Sequence, residues 1–547
     1  MKNQPWWKEA IVYQIYPRSF KDSNGDGVGD LPGILSKLDY LQRLGVNTIW
    51  LSPVYKSPND DNGYDISDYY GIMDEFGAMA DFDLLLQRAH ERQIRVVMDL
   101  VVNHTSDEHP WFIAARSSKD NPKRDFYIWR KGNNGVPPNN WASFFTGPAW
   151  EYDAATEEYY LHLFSKKQPD LNWQNPQVKR EIFAMMRYWL DKGVDGFRMD
   201  VINFLAKPAG LPDAETPKDH PSGQPVLDHR LYMNQPGIHD ILHAMNREVL
   251  SHYDVMTVGE CGGLYPNNSL DYVAEDRQEL NLIFQFDIMG WPDAPRERLQ
   301  KVDAWYRAFR GKAWNTITFN NHDSPRQVSR LGDEKNFHRQ SATLIATFLL
   351  TVPGTPFLYQ GEEIGMTNVR FDSIDDYRDI DMKNRYALEI SSGKSPSEVL
   401  EYLAERSRDN ARTPMQWSAD AHAGFSTGQP WIRVNPNFGT INVEANEHDN
   451  DSVLNYYRRM IRFRKDNAAF VHGDFSIVDT GSSHLLMYQR HLAPAMFTVV
   501  LNWQSEPCAA PGPLDSRATE LVFSNDSQSA RNEKQLNPWE ARIYRWK

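Results

Sequence analysis

Eight short runs of apolar and β-branched residues, each followed by a helix-like stretch, constrain this chain more than any other feature. They fall at residues 10–16, 48–51, 94–102, 196–200, 256–260, 282–286, 316–319 and 355–359. After the first, Ile34, Leu38 and Leu41 recur at three- and four-residue spacing up to Gly45, which predicts a helix closed by glycine. Continuous apolar strands alternating with helices belong in a parallel sheet covered on both faces. Eight of them predict an α/β fold, a (β/α)8 TIM barrel. An open doubly wound sheet gives the same alternation, so periodicity alone leaves both architectures standing.

Two breaks in the rhythm divide the 547 residues, a length too great for one compact core. Between Asn103 and Trp173 the chain turns polar, aromatic and dotted with Pro and Gly over too long a stretch for a simple loop. This predicts a small domain at 104–173, inserted after strand three of a barrel formed by 1–103 and 174–474. Beyond about residue 475 only strand-like runs separated by turn residues remain, predicting a C-terminal antiparallel β-sandwich at 475–547.

Composition removes several classes of function. A formal charge of −14 argues against a nucleic-acid surface, which needs clustered Lys and Arg. No run of about twenty apolar residues spans a bilayer, and Met1–Glu9 carries no signal-peptide core. The two cysteines, Cys261 and Cys508, make no disulfide framework or metal-ligand pattern, as expected of a reducing compartment. A cytoplasmic monomer, with no membrane or nucleic-acid partner, is the expectation. The 17 Trp and 25 Tyr suit sugar stacking as well as an ordinary large core, so they decide nothing alone.

In a barrel of this kind, working side chains sit at the C-terminal ends of the strands. Those ends carry Asp99 and Asn103-His104, Arg198 and Asp200, Glu260, and His322-Asp323. One Asp after a strand is most simply a helix N-cap. Four carboxylates at the mouths of apolar strands are better explained as an active site. Hydrolysis of a glycosidic bond needs one ionised and one protonated carboxyl facing the bond. Arg198 lies two residues before Asp200 on one strand face, so its guanidinium is expected to keep Asp200 ionised. Glu260, which ends the run Val258-Gly259, is the expected proton carrier with a raised pKa.

The segments at 99–104 (DLVVNH), 196–200 (GFRMD), 258–260 (VGE) and 321–323 (NHD) resemble the four signature regions of the α-amylase family, glycoside hydrolase family 13. Residues 168–172 (QPDLN) resemble its fifth region. Residues 60–65, 359–368 and 408–414 look like the oligo-1,6-glucosidase and dextran glucosidase group, and the likeness runs nearly the whole chain.

The resemblance implies a small oligosaccharide substrate and a role for each position. Asp200 would be the nucleophile, Glu260 the acid/base and Asp323 the third carboxylate. His104, His322 and Arg198 would hold the sugar, with Tyr64 beneath its ring. Asp61 and Arg412 would pair to grip the far hydroxyls of a terminal glucose, making the enzyme exo-acting. Phe145 and Phe164 would flank the cleft. Val201, directly after the nucleophile, accompanies α-1,6 preference in this group, where Thr accompanies α-1,4.

The implied activity is a retaining exo-α-glucosidase acting on isomaltose-like oligosaccharides. The alternative is a hydrolase, isomerase or transglucosidase acting on sucrose, its isomers or trehalose 6-phosphate. Family members that lack a catalytic carboxylate and serve as binding subunits are a further class, but all three carboxylates stand here. The chain departs from its group at Cys261-Gly262-Gly263 and over Phe286–Pro295, which leaves the leaving-group side open.

The loop at 22–30 carries oxygen donors at alternate positions with easing glycines, as an EF-hand-like loop does. Asp22, Asn24, Asp26, Asp30 and the Val28 carbonyl are the expected ligands of a structural Ca2+, or of Mg2+ in its place. A metal-free Asx-turn loop is the competing reading.

Overall fold

The computed structural model describes residues 4–290, 294–511, 518–529 and 534–547. Eight parallel strands form one sheet: β1 (Val12–Ile15), β2 (Thr48–Leu51), β3 (Arg95–Val101), β4 (Gly196–Asp200), β5 (Met256–Gly259), β6 (Leu282–Ile283), β7 (Thr316–Ile317) and β8 (Thr355–Tyr359). Their order is β6-β5-β4-β3-β2-β1-β8-β7, the order of a barrel rather than of an open doubly wound sheet. At the seam the two shortest strands face each other. There Thr316 Oγ1 donates to the Ile283 carbonyl at 2.7 Å, and Gln285 Nε2 donates to Asn315 Oδ1 at 2.8 Å.

The two-residue period of each strand separates inside from outside. Val12, Trp50, Val97, Met256, Val258, Leu282, Phe284 and Phe357 form one buried cluster inside the barrel. Ile11, Tyr13, Ile49, Leu51, Val96 and Met98 belong to the large cluster packed against the helices. The same period carries the inner face onward from Val12 to Gln14, from Val97 to Asp99 and from Val258 to Glu260. The polar groups of the barrel mouth are therefore the next inward positions above an apolar plug.

The helix expected up to Gly45 is split. Lys37 leaves helical geometry between Leu31–Ser36 and Leu38–Leu44, and Gly45 (φ 97°) closes the second piece as glycine permits. Residues 104–173 hold an antiparallel three-stranded sheet, Trp129–Arg130, Glu158–Leu161 and Trp150–Asp153, with Glu158–Leu161 central. Bridges pair Asp170 and Leu171, near the end of this segment, with His104 and Tyr127. Beyond β8, helices Ile380–Ser391 and Pro396–Arg406 form an excursion that the strand–helix rhythm does not announce.

The C-terminal part is a five-stranded antiparallel sheet made of β9 (Asp474–Ile477), β10 (Leu485–Leu492), β11 (Ala495–Asn502), β12 (Thr519–Ser524) and β13 (Ala541–Trp546), in the order β9-β10-β11-β13-β12. A two-stranded ribbon, Cys508–Ala509 with Gln535–Leu536, supplies the second layer. Met487, Val500 and Leu536 pack between the two layers. Among the described residues no helix is long and apolar enough to cross a membrane.

Candidate active site

Ten of the twelve residues expected to act on the sugar line one cavity of about 90 Å3 at the barrel mouth. They are Asp61, Tyr64, His104, Phe145, Phe164, Asp200, Val201, Glu260, His322 and Asp323, joined by Arg408. A larger cavity of about 690 Å3, between the inserted domain and the loop after β4, includes Trp129 and Lys207 but no pair of carboxylates. Charge therefore marks the site where size does not.

Arg198, fully buried, organises the floor. Its Nη1 donates to Asp99 Oδ1 at 2.8 Å and to Asp200 Oδ1 at 2.7 Å, while Nη2 donates to Glu260 Oε2. One guanidinium thus joins both expected catalytic carboxyls to a third from the neighbouring strand. Three carboxyls around one cation leave an excess of negative charge in a buried site. Burial is the strongest influence on Asp200 and pushes its carboxyl well above the ordinary range. Arg198 pulls it down, and the charges of Glu260 and Asp99 push it up again. This corrects the expectation that the Arg198 guanidinium keeps Asp200 ionised: the guanidinium is shared among three acids.

Asp323 behaves in the opposite way. Burial would raise it, but the hydrogen bond from His322 and the charges of Arg412 and Arg408 hold it well below the usual carboxylate range. His322 Nε2 lies 2.9 Å from Asp323 Oδ2, and Arg412 Nη2 lies 2.9 Å from Oδ1. Tyr64 stacks on His322 with centroids 5.1 Å apart and planes 3° from parallel, and its hydroxyl donates to Asp99 Oδ2 at 2.9 Å. Burial lowers His104 to about 4, and its Nε2 lies 3.1 Å from the Tyr64 carbonyl.

The expected Asp61–Arg412 pair is not formed. Arg412 spends its donors on Asp323 and on the His322 carbonyl (3.1 Å), and its buried Nη1 has no hydrogen-bond partner among the described residues. Asp61 pairs instead with Arg408 Nη2 at 3.3 Å, and that nitrogen also meets Asp379 at 2.5 Å. Arg408 Nη1 lies 3.5 Å from Asp323, and the guanidinium lies 5.1 Å from the centre of the Phe145 ring. The two arginines stand four residues apart about a single helical turn, Asp409–Arg412, so either could have been chosen from sequence. Which of them reaches Asp61 depends on Asp379, 29 residues upstream of Arg408. Gln168, in the fifth motif, also reaches Asp61: its Nε2 donates to Asp61 Oδ2 at 3.2 Å.

Phe145 and Phe164 meet edge to face at 5.7 Å, and Phe164 lies 5.3 Å from His104, so the inserted domain walls one side of the cavity. Asn384 Nδ2 donates to the Phe145 carbonyl at 3.0 Å, tying that wall to helix Ile380–Ser391. Val201 borders the cavity in left-handed geometry (φ 35°, ψ 42°), a strained conformation for a β-branched residue. Its backbone N–H points at Glu260 Oε2 at 3.3 Å. On the leaving-group side Cys261 is buried directly behind Glu260. Trp291, Pro292 and Asp293, in the other departing stretch, lie outside the described residues.

The loop at 22–30 is held by its own Asx turns. Asp22 accepts from the N–H groups of Asn24, Gly25 and Gly27 and from Ser426 Oγ. Asp30 accepts from Ser23 and from Gly33 N–H, capping the helix that follows. Asn24 Oδ1 accepts from Asp26 N–H, and Asp26 Oδ1 accepts from Val28 N–H. Among the described residues no three His, Cys, Asp or Glu side chains converge as a metal site. The donors are all oxygen, which suits a hard cation, but Asp22, Asp26 and Asp30 are not gathered around one point.

A parallel barrel with charged side chains converging at the ends of β3, β4 and β5 and after β7 defines an enzyme of glycosidic bonds. The chain belongs to the α-amylase family: the profile of the α-amylase catalytic domain matches residues 14–473. It is 53% identical over 559 residues to an oligo-1,6-glucosidase of Parageobacillus thermoglucosidasius, covering 99% of each chain. It is 50% identical to the oligo-1,6-glucosidase of Bacillus cereus, again over 99% of each. Among solved structures it is similar to an isomaltulose synthase from Klebsiella sp. LX3 (TM-score 0.94, 42% identity, all of each chain). It is also similar to a trehalose-6-phosphate hydrolase of Bacillus licheniformis (TM-score 0.91, 42% identity, 99% of this chain and all of the other).

Proposed function

We propose that this protein is a retaining, exo-acting α-glucosidase that removes terminal α-1,6-linked glucose from isomaltose-like oligosaccharides. The observation that carries the reading is the small cavity over one shared guanidinium, with Asp200 and Glu260 on its floor and the Asp61–Arg408 pair across its far end. Kinship of about half the residues, end to end, with two oligo-1,6-glucosidases supports the linkage.

In this reading Asp200 attacks the anomeric carbon while Glu260 gives its proton to the departing glycosidic oxygen. The glucosyl ester on Asp200 is then cleaved by water, whose proton Glu260 takes back. Asp323 and His322 bind ring hydroxyls, and Tyr64 lies under the ring. Arg408, with Asp61, closes the pocket behind one sugar, so the chain end enters and the leaving group faces out. Val201 offers an apolar surface where a threonine would offer a hydroxyl. A contact of that size is worth about 10–200-fold in specificity. Initial rates on isomaltose, isomaltulose, maltose, sucrose, trehalose and trehalose 6-phosphate test the reading. Isomaltose is expected to exceed maltose within that range, and Val201→Thr to narrow the gap. Maltose cleaved as fast as isomaltose, with the ratio unmoved by the substitution, removes Val201 and the linkage together.

The metal reading is a separate part of the proposal: a structural Ca2+, or Mg2+, bound by the loop at 22–30. Its support is the all-oxygen donor set at alternate positions, with Gly27 at the turn between Asp26 and Val28. An ion bound only by the folded state raises the melting temperature, so Ca2+ is expected to raise it and excess chelator to lower it. Identical melting curves under the two conditions dispose of the ion. A cytoplasmic monomer completes the reading.

A further inference from the structure

The inward face of β1 ends in a residue that the reaction above does not use. Gln14, 1% exposed, stands two positions after Val12, and its side-chain nitrogen lies 2.8 Å from His322 Nδ1 and 3.1 Å from Ser52 Oγ. An amide nitrogen has hydrogens and no lone pair to offer, so it can only donate. His322 Nδ1 must then accept, and the ring proton sits on Nε2, the nitrogen 2.9 Å from Asp323. We propose that Gln14 is a positioning residue that holds His322 neutral, with its single proton on Nε2 and aimed at Asp323.

The surroundings of His322 agree. Tyr64 and Tyr16 stack on its two faces at 5.1 and 6.1 Å, and Trp50 meets it edge-on at 6.1 Å, so the ring cannot turn over without repacking three aromatics. The charged groups around it are Asp323 on Nε2, Arg412 on its backbone carbonyl, and Asp99, which accepts from Tyr64 and Trp50. The nitrogen facing β1 meets, among the described residues, Gln14. The tautomer of an imidazole is set by the bond its other nitrogen makes.

The arrangement has a chemical use. A glycosyl transition state carries positive charge, which Asp323 can meet only if that charge is not spent on a neighbouring imidazolium. A neutral His322 donates one hydrogen bond and leaves the carboxylate its charge. Gln14 Oε1 is buried without a hydrogen-bond partner among the described residues. If the amide were reversed, that oxygen would face Nδ1, and His322 would hold a second proton. The side-chain orientation of Gln14 thus selects between a neutral and a charged ring.

Selective 15N-histidine labelling tests this in the unaltered protein, with the His322 signal assigned from its loss in His322→Gln. A neutral ring protonated on Nε2 at pH 7 is expected. A ring carrying a proton on Nδ1 overturns the proposal, and this readout stands whether or not the glucosidase reading does. The kinetic consequence rests on that reading. Gln14→Met keeps the volume and removes the donor. It is expected to lower kcat about tenfold or more, to leave KM within about threefold, and to change the shape of the pH profile of kcat. Gln14→Glu, which accepts from Nδ1–H, is expected to give a doubly protonated His322 at pH 7. A pH profile and a ring protonation state untouched by both substitutions also overturn it.

Discussion

Asp200→Asn is expected to lower turnover on isomaltose by at least about 10^3-fold, because no other group is placed to form the glucosyl ester. The fold is expected to survive the change and to melt no earlier than the parent. The reason lies in the direction of the Asp200 shift. Its carboxyl holds a proton more tightly in the folded state than the ordinary value near 3.9, so its contribution to stability is full below that value. That contribution is lost as pH rises through the raised folded value, above which the ionised group is a burden. Asn removes the charge and keeps the shape, while Arg198 retains Asp99 and Glu260. The same shift predicts that the acid limb of kcat/KM lies above the ordinary Asp range, since activity falls as the nucleophile is protonated. That limb belongs to Asp99 and Asp200 together, both of which burial raises. An Asp200→Asn protein that keeps a tenth of its activity, or that unfolds well before the parent, is incompatible with this assignment.

Arg408→Ala is expected to damage both activity and stability, and more severely than the sequence motif alone suggests. The substitution leaves Asp61 and Asp379, both buried, without the guanidinium that serves them. Removing one partner of a buried ion pair costs about 3–5 kcal/mol. The far wall of the cavity also loses its shape, and misplacing a bound sugar by about 1 Å can cost around 10^2-fold in rate. Thermal melts with kinetics on isomaltose are the check. Arg408→Lys restores the charge but not the fork that reaches Asp61 and Asp379, so it is expected to recover stability more than activity. If Arg408→Ala is nearly silent and Arg412→Ala abolishes the grip on the terminal glucose, the pairing with Asp61 has been misjudged.

That pairing marks where the sequence stops being legible. The eight strands could be read because each is a short, almost wholly buried and mostly apolar run, and Asp200 and Glu260 stand at or just past the ends of two of them. Period two then put Arg198 beside Asp200, and the structure agrees. The choice between Arg408 and Arg412 could not be read in the same way. Asp379 decides it, and nothing in the strand rhythm connects residue 379 to residue 408. Helices Ile380–Ser391 and Pro396–Arg406 were invisible for the same reason, since they decorate the barrel rather than build it.

Charge was legible in kind but not in sign. Arg198 two residues from Asp200 promised an ionised nucleophile, yet the same guanidinium also serves Asp99 and Glu260 across two neighbouring strands. Only strand pairing reveals that competition: Asp99 lies opposite Arg198 in the β3–β4 ladder, while β5 brings Glu260 from the other side. The bond between Gln14 and His322 spans 308 residues and had no signal in the motif around either of them.

The account rests on a double displacement at Asp200, and the configuration of the first glucose released tests that most directly. Proton NMR during the first minutes of isomaltulose hydrolysis, in which the leaving group is fructose and each cleavage frees one glucose, resolves α- from β-glucose at the anomeric position before the anomers interconvert. Two inversions at the same carbon return the starting geometry, so α-glucose is expected to appear first, with β-glucose growing in later by mutarotation. Release of β-glucose first would mean a single displacement by water, with Asp200 acting as a base rather than as the nucleophile.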